Sequence, residues 1–335
     1  MSEQGSPFQP PSQFQTTKKH RTFVNPWDRM VKWFVISRAP TFFKTRVDKA
    51  IHFAPGSPLP TTPFTLQKKK DFLAAPVSSL WIGHATVYFQ IKGRLMITDP
   101  VIGRVGGKFG IKRSAPPPIK SWSDLPGVDT VLISHDHMDH LNKASVKELN
   151  EHFEPTFVCG EGVDKLLHKW GVPVDRIRTC RWWDRVDVRG TSVTFLPAQH
   201  WSQRGIHDRN TRLWGGFLVE CEGKKVFYTG DTGYNSDLFK TIGTLGPMDM
   251  SLLPIGCGQP EELMRYQHVN PAAALKIHED VQSRCTVAVH HGTYPSGMAA
   301  ETLKSPGEEM AELARQQGKA DCVRVGNVGL MTTID

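Results

Sequence analysis

The chain has 335 residues, 39% hydrophobic and 22% charged, so it can bury a sizeable core and global disorder is not expected. It contains no run of about 18 or more apolar residues and no apolar segment near its start, so neither a transmembrane helix nor a secretory signal peptide is expected. The net charge of +8 predicts attraction to polyanions, and six scattered cysteines without a CxxC pair favour a reducing, intracellular compartment.

The first 70 residues divide into two predicted segments. Residues 1–22 are rich in Gln, Ser, Pro and Thr, and we expect them to form a disordered N-terminal tail. Residues 23–70 are predicted to be a helical and Pro-rich extension. Its helix either packs on the main domain or lies on a membrane with an apolar stripe in the headgroup layer. The stripe comprises Trp27, Met30, Val31, Phe34 and Val35.

Residues 71–335 are predicted to form one domain in which short apolar strands alternate with amphipathic helices. TVYFQI and RLMITDP flank Lys92-Gly93 as a hairpin. The other predicted strands are DTVLIS, TSVTFLPA, GGFLVEC, KKVFYTG, MSLLPIG, CTVAVH and CVRVGN. The predicted helices are NKASVKELNEHF, VDKLLHKW, SDLFKTIG, PAAALKIHEDV and PGEEMAELARQQG. This mixture predicts sheets covered by helices, an α/β or α+β layered domain.

A dense group of metal-ligand side chains follows the predicted strand DTVLIS, in the sequence HDHMDH. His135 and His137 are two residues apart and can reach one centre, while Asp139 and His140 can reach a second. One catalytic zinc takes about three protein ligands, so these four groups are too many for one ion and too few for two.

Further ligands are therefore expected at other strand ends. Three candidates each close an apolar run: His200 in PAQHWS, Asp231 in TGDTGY and His290 in AVHHGT. Sorted by centre, His135, His137 and His200 could hold one zinc ion, and Asp139, His140 and His290 the other. Asp231 would bridge the two.

The set resembles the metallo-β-lactamase superfamily, whose HxHxDH signature is met by His135 to His140. WIGHATVYFQIKGRLMITDP, PAQHWSQR, LWGGF, TGDTGY and RYQHVNP further resemble the N-acyl-phosphatidylethanolamine-hydrolysing phospholipase D family, from about Asn25 to near the C-terminus. The resemblance implies an α+β fold, an αβ/βα sandwich of two mixed sheets flanked by helices. It also implies two zinc ions, Asp99 supporting the metal site from outside the ligand set, and His268 close to the active centre. Asp99, Asp139 and His268 are the expected catalytic residues.

The match departs from the family at two places. Cys257-Gly258-Gln259-Pro260 stands where Ala-Tyr-Glu-Pro is expected, so an aromatic and a carboxylate are missing beside the metal site. His291 stands where Trp is expected, and we interpret it as a pocket or structural residue, as we do His84. These changes bear on acyl-chain and headgroup preference rather than on the metals.

The activity implied is that of a zinc-dependent phosphodiesterase releasing N-acylethanolamine and phosphatidic acid from a membrane phospholipid. Two zinc ions about 3.5–4 Å apart would activate a water and neutralise phosphoryl oxygens. We therefore expect a phospholipid substrate, a peripheral membrane surface, no nucleic-acid partner and an intracellular location, cytoplasmic or on an internal membrane. A homodimer is left open, as are a lactone or soluble phosphodiester as substrate, and a membrane-associated scaffold that has lost catalysis.

Overall fold

The computed structural model describes residues 11–19, 21–24, 56–107, 109–295 and 301–335. Its strands are β1 Thr17–Lys19, β2 Thr22–Val24, β3 Val77–Gly83, β4 Thr86–Ile91, β5 Arg94–Thr98, β6 Thr130–Ile133, β7 Thr156–Gly160, β8 Ile177–Cys180, β9 Arg185–Val188, β10 Thr191–Leu196, β11 Gly216–Cys221, β12 Lys224–Tyr228, β13 Met250–Pro254, β14 Thr286–Val289, β15 Val323–Arg324 and β16 Met331–Ile334. Its α-helices are α1 Leu66–Ala74, α2 Lys143–Phe153, α3 Asp164–Lys169, α4 Ser236–Gly243, α5 Glu261–Met264, α6 Pro271–Asp280 and α7 Ser305–Gln316.

Two seven-stranded sheets carry the fold, with the strand orders β16-β3-β4-β5-β6-β7-β8 and β15-β14-β13-β12-β11-β10-β9. In each sheet an antiparallel half continues into a parallel half, and β5 to β8 and β12 to β15 are the parallel runs. Both sheets are therefore mixed, as the sequence predicted.

Alternating strand residues assign each sheet one inner and one outer face. In β6, Leu132 joins the core between the sheets, whereas Val131 and Ile133 join a second core beneath the helices. Phe72 of α1, Leu149 of α2 and Leu167 of α3 cover the first sheet in this way. Side chains of α4, α6 and α7 cover the second sheet in a third core. The layers run helix, sheet, sheet, helix, which confirms the predicted αβ/βα sandwich.

Local sequence explains where the helices begin. Asn142, Asn235 and Asn270 each accept a hydrogen bond from the backbone N–H three residues on, as N-cap side chains do. Pro271 then occupies the first turn of α6, where its missing N–H costs nothing.

The N-terminal expectations need correction. We predicted disorder for residues 1–22, but Ser12–Phe14 form a 3-10 turn and β1 pairs with β2. Phe14 and Phe23 are both buried, in two of the three cores, and this burial offsets the polar composition of their neighbours. The predicted helix at Trp27 to Val35 lies outside the described residues.

The predicted domain boundary at residue 71 falls inside α1. Thr62 donates its backbone N–H to the carbonyl of Val328, and Phe64 is buried in the core beneath the helices. The part of the predicted extension around these residues therefore packs on the sandwich. None of the described helices is long and apolar enough to cross a lipid bilayer.

Candidate metal centre

The strand directions place the candidate ligands at one edge of the sandwich. Strands β5 and β6 run parallel, so Asp99 and the HDHMDH turn follow neighbouring strand ends. In the second sheet β12 and β14 run in the same direction, and so does β10, because two antiparallel pairings separate β10 from β12. His200, Asp231 and His290 therefore emerge at one edge, where ligands of open parallel sheets bind.

The first group contains His135, His137 and His200, whose ligand atoms lie within 4.8 Å of one another. His137 Nδ1 is 2.8 Å from His135 Nε2 and 3.3 Å from His200 Nε2. One proton can be shared by only two of these three nitrogens, whereas a metal cation can bind the lone pairs of all three. Tetrahedral ligands about 2.0–2.1 Å from a zinc ion are themselves roughly 3.4 Å apart, so the group fits a metal.

The second group contains Asp139, His140 and His290, together with His84, again within 4.8 Å. The Nε2 atoms of His140 and His290 are 3.3 Å apart. His84 Nε2 lies 2.9 Å from Asp139 Oδ2 and holds that carboxylate, which is about one third exposed.

Asp231 stands between the two groups and is buried. Its Oδ2 atom is 3.2 Å from His140 Nε2, 3.1 Å from His290 Nε2 and 4.0 Å from His200 Nε2. Its Oδ1 atom is buried and has no hydrogen-bond partner among the described residues. A buried carboxylate oxygen without a partner is costly, and a cation at this position would remove the cost.

Contacts on the far side of three of the candidate imidazoles, His135, His140 and His200, orient their rings. His200 Nδ1 lies 2.8 Å from the carbonyl of Gln267, and His140 Nδ1 lies 2.7 Å from Asp99 Oδ2. Both partners only accept, so Nδ1 carries the proton and the Nε2 lone pair faces the centre. His135 makes the equivalent contact, 2.9 Å from Ser134 Oγ to Nδ1. Such outer contacts are typical of metal-binding histidines.

Asp99 lies behind the centre, fully buried, with φ of 35°. Its Oδ1 accepts the Ser134 N–H at 2.7 Å, and its Oδ2 accepts the Ser134 hydroxyl and the Tyr228 hydroxyl, both at 2.5 Å. With the His140 contact, this one carboxylate links two strand ends of the first sheet to β12 of the second. Asp99 thus contacts the ligand turn from behind the centre, and its supporting role stays a prediction.

The charge states suit metal binding. Burial lowers the pKa of His137 to about 4 and that of His200 to about 3, so both imidazoles are neutral at pH 7, as ligands must be. Burial acts in the same direction on His140, but the carboxylates of Asp231 and Asp139 outweigh it and raise the pKa of His140 well above its ordinary value. A divalent cation at this position would neutralise the same carboxylates and displace the Nε2 proton of His140, so that its lone pair could bind the metal.

His268 and His291 occupy different places. His268 Nδ1 is 3.7 Å from Asp231 Oδ2, and its ring centroid is 5.1 Å from that of His200, so it borders the centre. It also lines a cavity of about 300 Å³ that Arg265 and Lys276 share. His291 instead stacks on Trp81 with centroids 4.6 Å apart, in agreement with a pocket or structural role.

Two contributors were missed or underrated by sequence reasoning. His84 was expected to be structural, but the turn between β3 and β4 places it beside Asp139. Asp136 was given no role, yet it is buried and accepts the Gln203 N–H at 2.8 Å, while Arg212 Nε lies 2.9 Å from its second oxygen. It thereby ties the ligand turn to the loop after His200. Its place within HDHMDH was the available signal.

The altered segment at Cys257 acquires a carboxylate from elsewhere in the chain. The N–H groups of Cys257 and Gln259 each donate to Glu301, both at 2.8 Å. Glu301 therefore places a carboxylate against the segment in which the sequence has Gln259 instead of the expected Glu.

Comparison with known sequences gives the same picture. The profile of the Beta-lactamase superfamily domain matches residues 94–291. The N-acyl-phosphatidylethanolamine-hydrolyzing phospholipase D 1 of Caenorhabditis elegans is 37% identical over 70% of this chain and 68% of its own length. The mitochondrial phospholipase D of the same description from Saccharomyces cerevisiae is 31% identical over 77% of this chain and 56% of its own length. An uncharacterized Mycobacterium tuberculosis protein is 35% identical over 70% and 65%. The chain thus spans about two thirds or less of these relatives.

Solved structures agree on the fold. A metallo hydrolase from Ignicoccus hospitalis superimposes with a TM-score of 0.59 and 21% identity, covering 77% of this chain and 98% of that one. An isothiocyanate hydrolase from Delia radicum gut bacteria gives a TM-score of 0.59 at 18% identity, covering 77% and 99%. At these identities the likeness concerns the architecture alone.

Proposed function

Because the chain belongs to the metallo-β-lactamase superfamily and, within it, to the N-acyl-phosphatidylethanolamine-hydrolysing phospholipase D family, we propose that it hydrolyses N-acyl-phosphatidylethanolamine to N-acylethanolamine and phosphatidic acid. Its membership makes it a metallo-β-lactamase-fold hydrolase; the phospholipid substrate and the phospholipase D reaction are the proposal. The worm and yeast relatives carry that activity in their names.

One observation carries the proposal: Asp231 lies between two groups of ligand atoms, each compact enough for one ion. We propose His135, His137, His200 and Asp231 for the first ion, and Asp139, His140, His290 and Asp231 for the second. Three imidazoles in the first group favour zinc. When bound, such a pair of ions lowers the pKa of water towards about 7 and neutralises phosphoryl oxygens.

The chain's own residues then orient the reaction. Asp99 holds the ring of His140 through Nδ1, and His84 holds Asp139 at the exposed side of the centre. Burial lowers the pKa of His268 to about 3, so at pH 7 its imidazole is neutral. We propose that a neutral His268 donates a hydrogen bond near the leaving alkoxide rather than transferring a proton as imidazolium.

The setting of this reaction is also proposed. The phospholipid substrate requires contact with a membrane surface inside the cell, and we propose no nucleic-acid partner. A homodimer stays a prediction.

The test uses one enzyme preparation and three substrates: vesicle-embedded N-acyl-phosphatidylethanolamine, a soluble phosphodiester and a lactone. We expect the phospholipid to be preferred, with N-acylethanolamine released. His137→Ala should lose about a hundredfold or more of this activity, since it removes a ligand. His152→Ala, which changes an exposed histidine of α2, is the matched control. Preference for the soluble diester or lactone would overturn the substrate, and an active His137→Ala would overturn the metal mechanism.

A further inference from the structure

Exposed bulky apolar side chains lie on the HDHMDH turn and on two loops next to it. Of the described large hydrophobic residues, Phe109 and Ile206 are the most exposed, at 96% and 86%. Ile111 and Met138 are exposed at 43% and 42%, and Met138 is part of the HDHMDH turn itself. Apolar side chains concentrated on one functional face mark an interaction surface.

The backbone holds these side chains outward on two loops that flank the turn. Val105 and Ile111 pair through two backbone hydrogen bonds of 3.0 and 2.8 Å, so Phe109 projects from a closed loop. A Cβ on Gly106 would lie 3.8 Å from Met138 Sδ, which places this loop against the turn.

On the second loop, Arg204 fixes the position of Ile206, two residues further on. Arg204 Nη1 donates to the carbonyls of Asp136 at 2.7 Å and Leu141 at 2.8 Å. Ile206 is thereby kept close to the ligand turn.

The groove between the loops is positively charged. Its volume is about 720 Å³, and Arg104, Lys143, Lys147 and Arg204 line it, with Glu148 as the single carboxylate among its described lining residues. Bulky apolar tips around a cationic groove complement an anionic bilayer, in which acyl chains lie beneath a layer of phosphates.

We propose that this face, formed by residues 102–107, 109–111, 138–148 and 204–206, docks on an anionic phospholipid bilayer. Phe109 and Ile206 enter the acyl boundary while Lys143 and Lys147 meet lipid phosphates. Met138, within the HDHMDH turn, then also faces the bilayer. The inference rests on the proposed function for its purpose, but it concerns lipid binding and can be measured without turnover.

The experiment measures co-sedimentation of the full chain with vesicles of phosphatidylcholine and phosphatidylserine, and with phosphatidylcholine alone. Phe109→Ser/Ile206→Ser should lower the affinity for the mixed vesicles by about tenfold or more, because the variant lacks two large apolar side chains that would transfer from water into the bilayer. Leu66→Ser/Val174→Ser is the matched control, because it removes two similarly exposed apolar side chains outside this face. Lys143→Gln/Lys147→Gln should lose the preference for anionic vesicles, and Lys165→Gln/Lys169→Gln on α3 should keep it.

The possible outcomes test the docking face and the proposed function separately. Selective loss in the Phe109/Ile206 variant supports the docking face, even if no N-acyl phospholipid is hydrolysed, in which case only the proposed function falls. Equal binding by this variant and the Leu66/Val174 control overturns the docking face and leaves the function standing. Absence of vesicle binding by the unmodified chain, or capture of a protein or RNA by this face instead, overturns it as well.

Discussion

Replacing Asp99 by Asn tests how the buried carboxylate supports the centre. The substitution keeps the shape of the side chain but turns one oxygen into a donor. Asp99 Oδ2 accepts from Ser134 Oγ, Tyr228 Oη and His140 Nδ1, and Oδ1 accepts from Ser134 N. In either orientation the new amide group faces at least one buried donor.

The magnitude follows from these contacts. A buried donor left without an acceptor costs about 1–3 kcal/mol, so one or two such losses should lower the free energy of unfolding by roughly 2–4 kcal/mol. The ring of His140 also loses its fixed tautomer, which should weaken metal binding about 10–100-fold. That factor corresponds to roughly 1.4–2.7 kcal/mol.

The assay is competition for zinc with a fluorescent chelator, paired with urea unfolding of metal-free protein. Asp129→Asn is the control: that carboxylate accepts the Leu95 N–H at 2.9 Å and pairs with Arg189 at 2.9 Å, remote from the centre. It should lose stability but bind zinc normally. Asp99 does not support the centre in this way if Asp99→Asn binds zinc as tightly as the unmodified chain, or if both variants weaken zinc binding equally.

Three further predictions concern single residues. Gly230→Ala, with φ of 62° and its new Cβ 2.6 Å from the Gly215 carbonyl, should lower the free energy of unfolding by about 2–4 kcal/mol. Gly93→Ala, at φ of 77° in open space, should cost only about 1 kcal/mol; equal urea midpoints would contradict this. Burial, with His290 and His84, lowers the pKa of His291 from 6.5 to about 3. As pH falls below 6.5, His291 is therefore protonated in the unfolded state before it is protonated in the folded state, and the free energy of unfolding decreases. His291→Phe, which still stacks on Trp81, should show a smaller loss between about pH 7 and about pH 5 in metal-free urea unfolding; an unchanged loss would contradict it. His84→Ala should release Asp139 and weaken the second metal more than the first in chelator titration; unaltered binding of both would count against it.

The sequence predicted the strand ends because each ligand closes an apolar run. A strand buried on both faces, such as β6, reads as a continuous apolar stretch, and ligand-type residues soon after it mark the sheet edge. His290 follows β14 directly, whereas His135, Asp231 and His200 come two, three and four residues after the ends of β6, β12 and β10. The structure brings these four side chains together.

What the sequence could not supply was contact between distant segments. The link from Asp136 to Arg212, and that from Cys257 to Glu301, join loops whose pairing depends on the packing of two sheets. The burial of Phe14 could not be predicted for a similar reason: its neighbours Gln13 and Gln15 are polar, and only the folded domain provides it with a core. The composition of a segment can be read from its own sequence, whereas its burial depends on contacts with distant parts of the chain.

The metal content of the purified chain, compared with that of Asp231→Ala, tests whether two ions share Asp231. Because Asp231 lies between both groups of ligands, we expect two metal ions per chain and the loss of at least one in the variant. One ion or fewer in the unmodified chain, or two in Asp231→Ala, would contradict a shared two-metal centre.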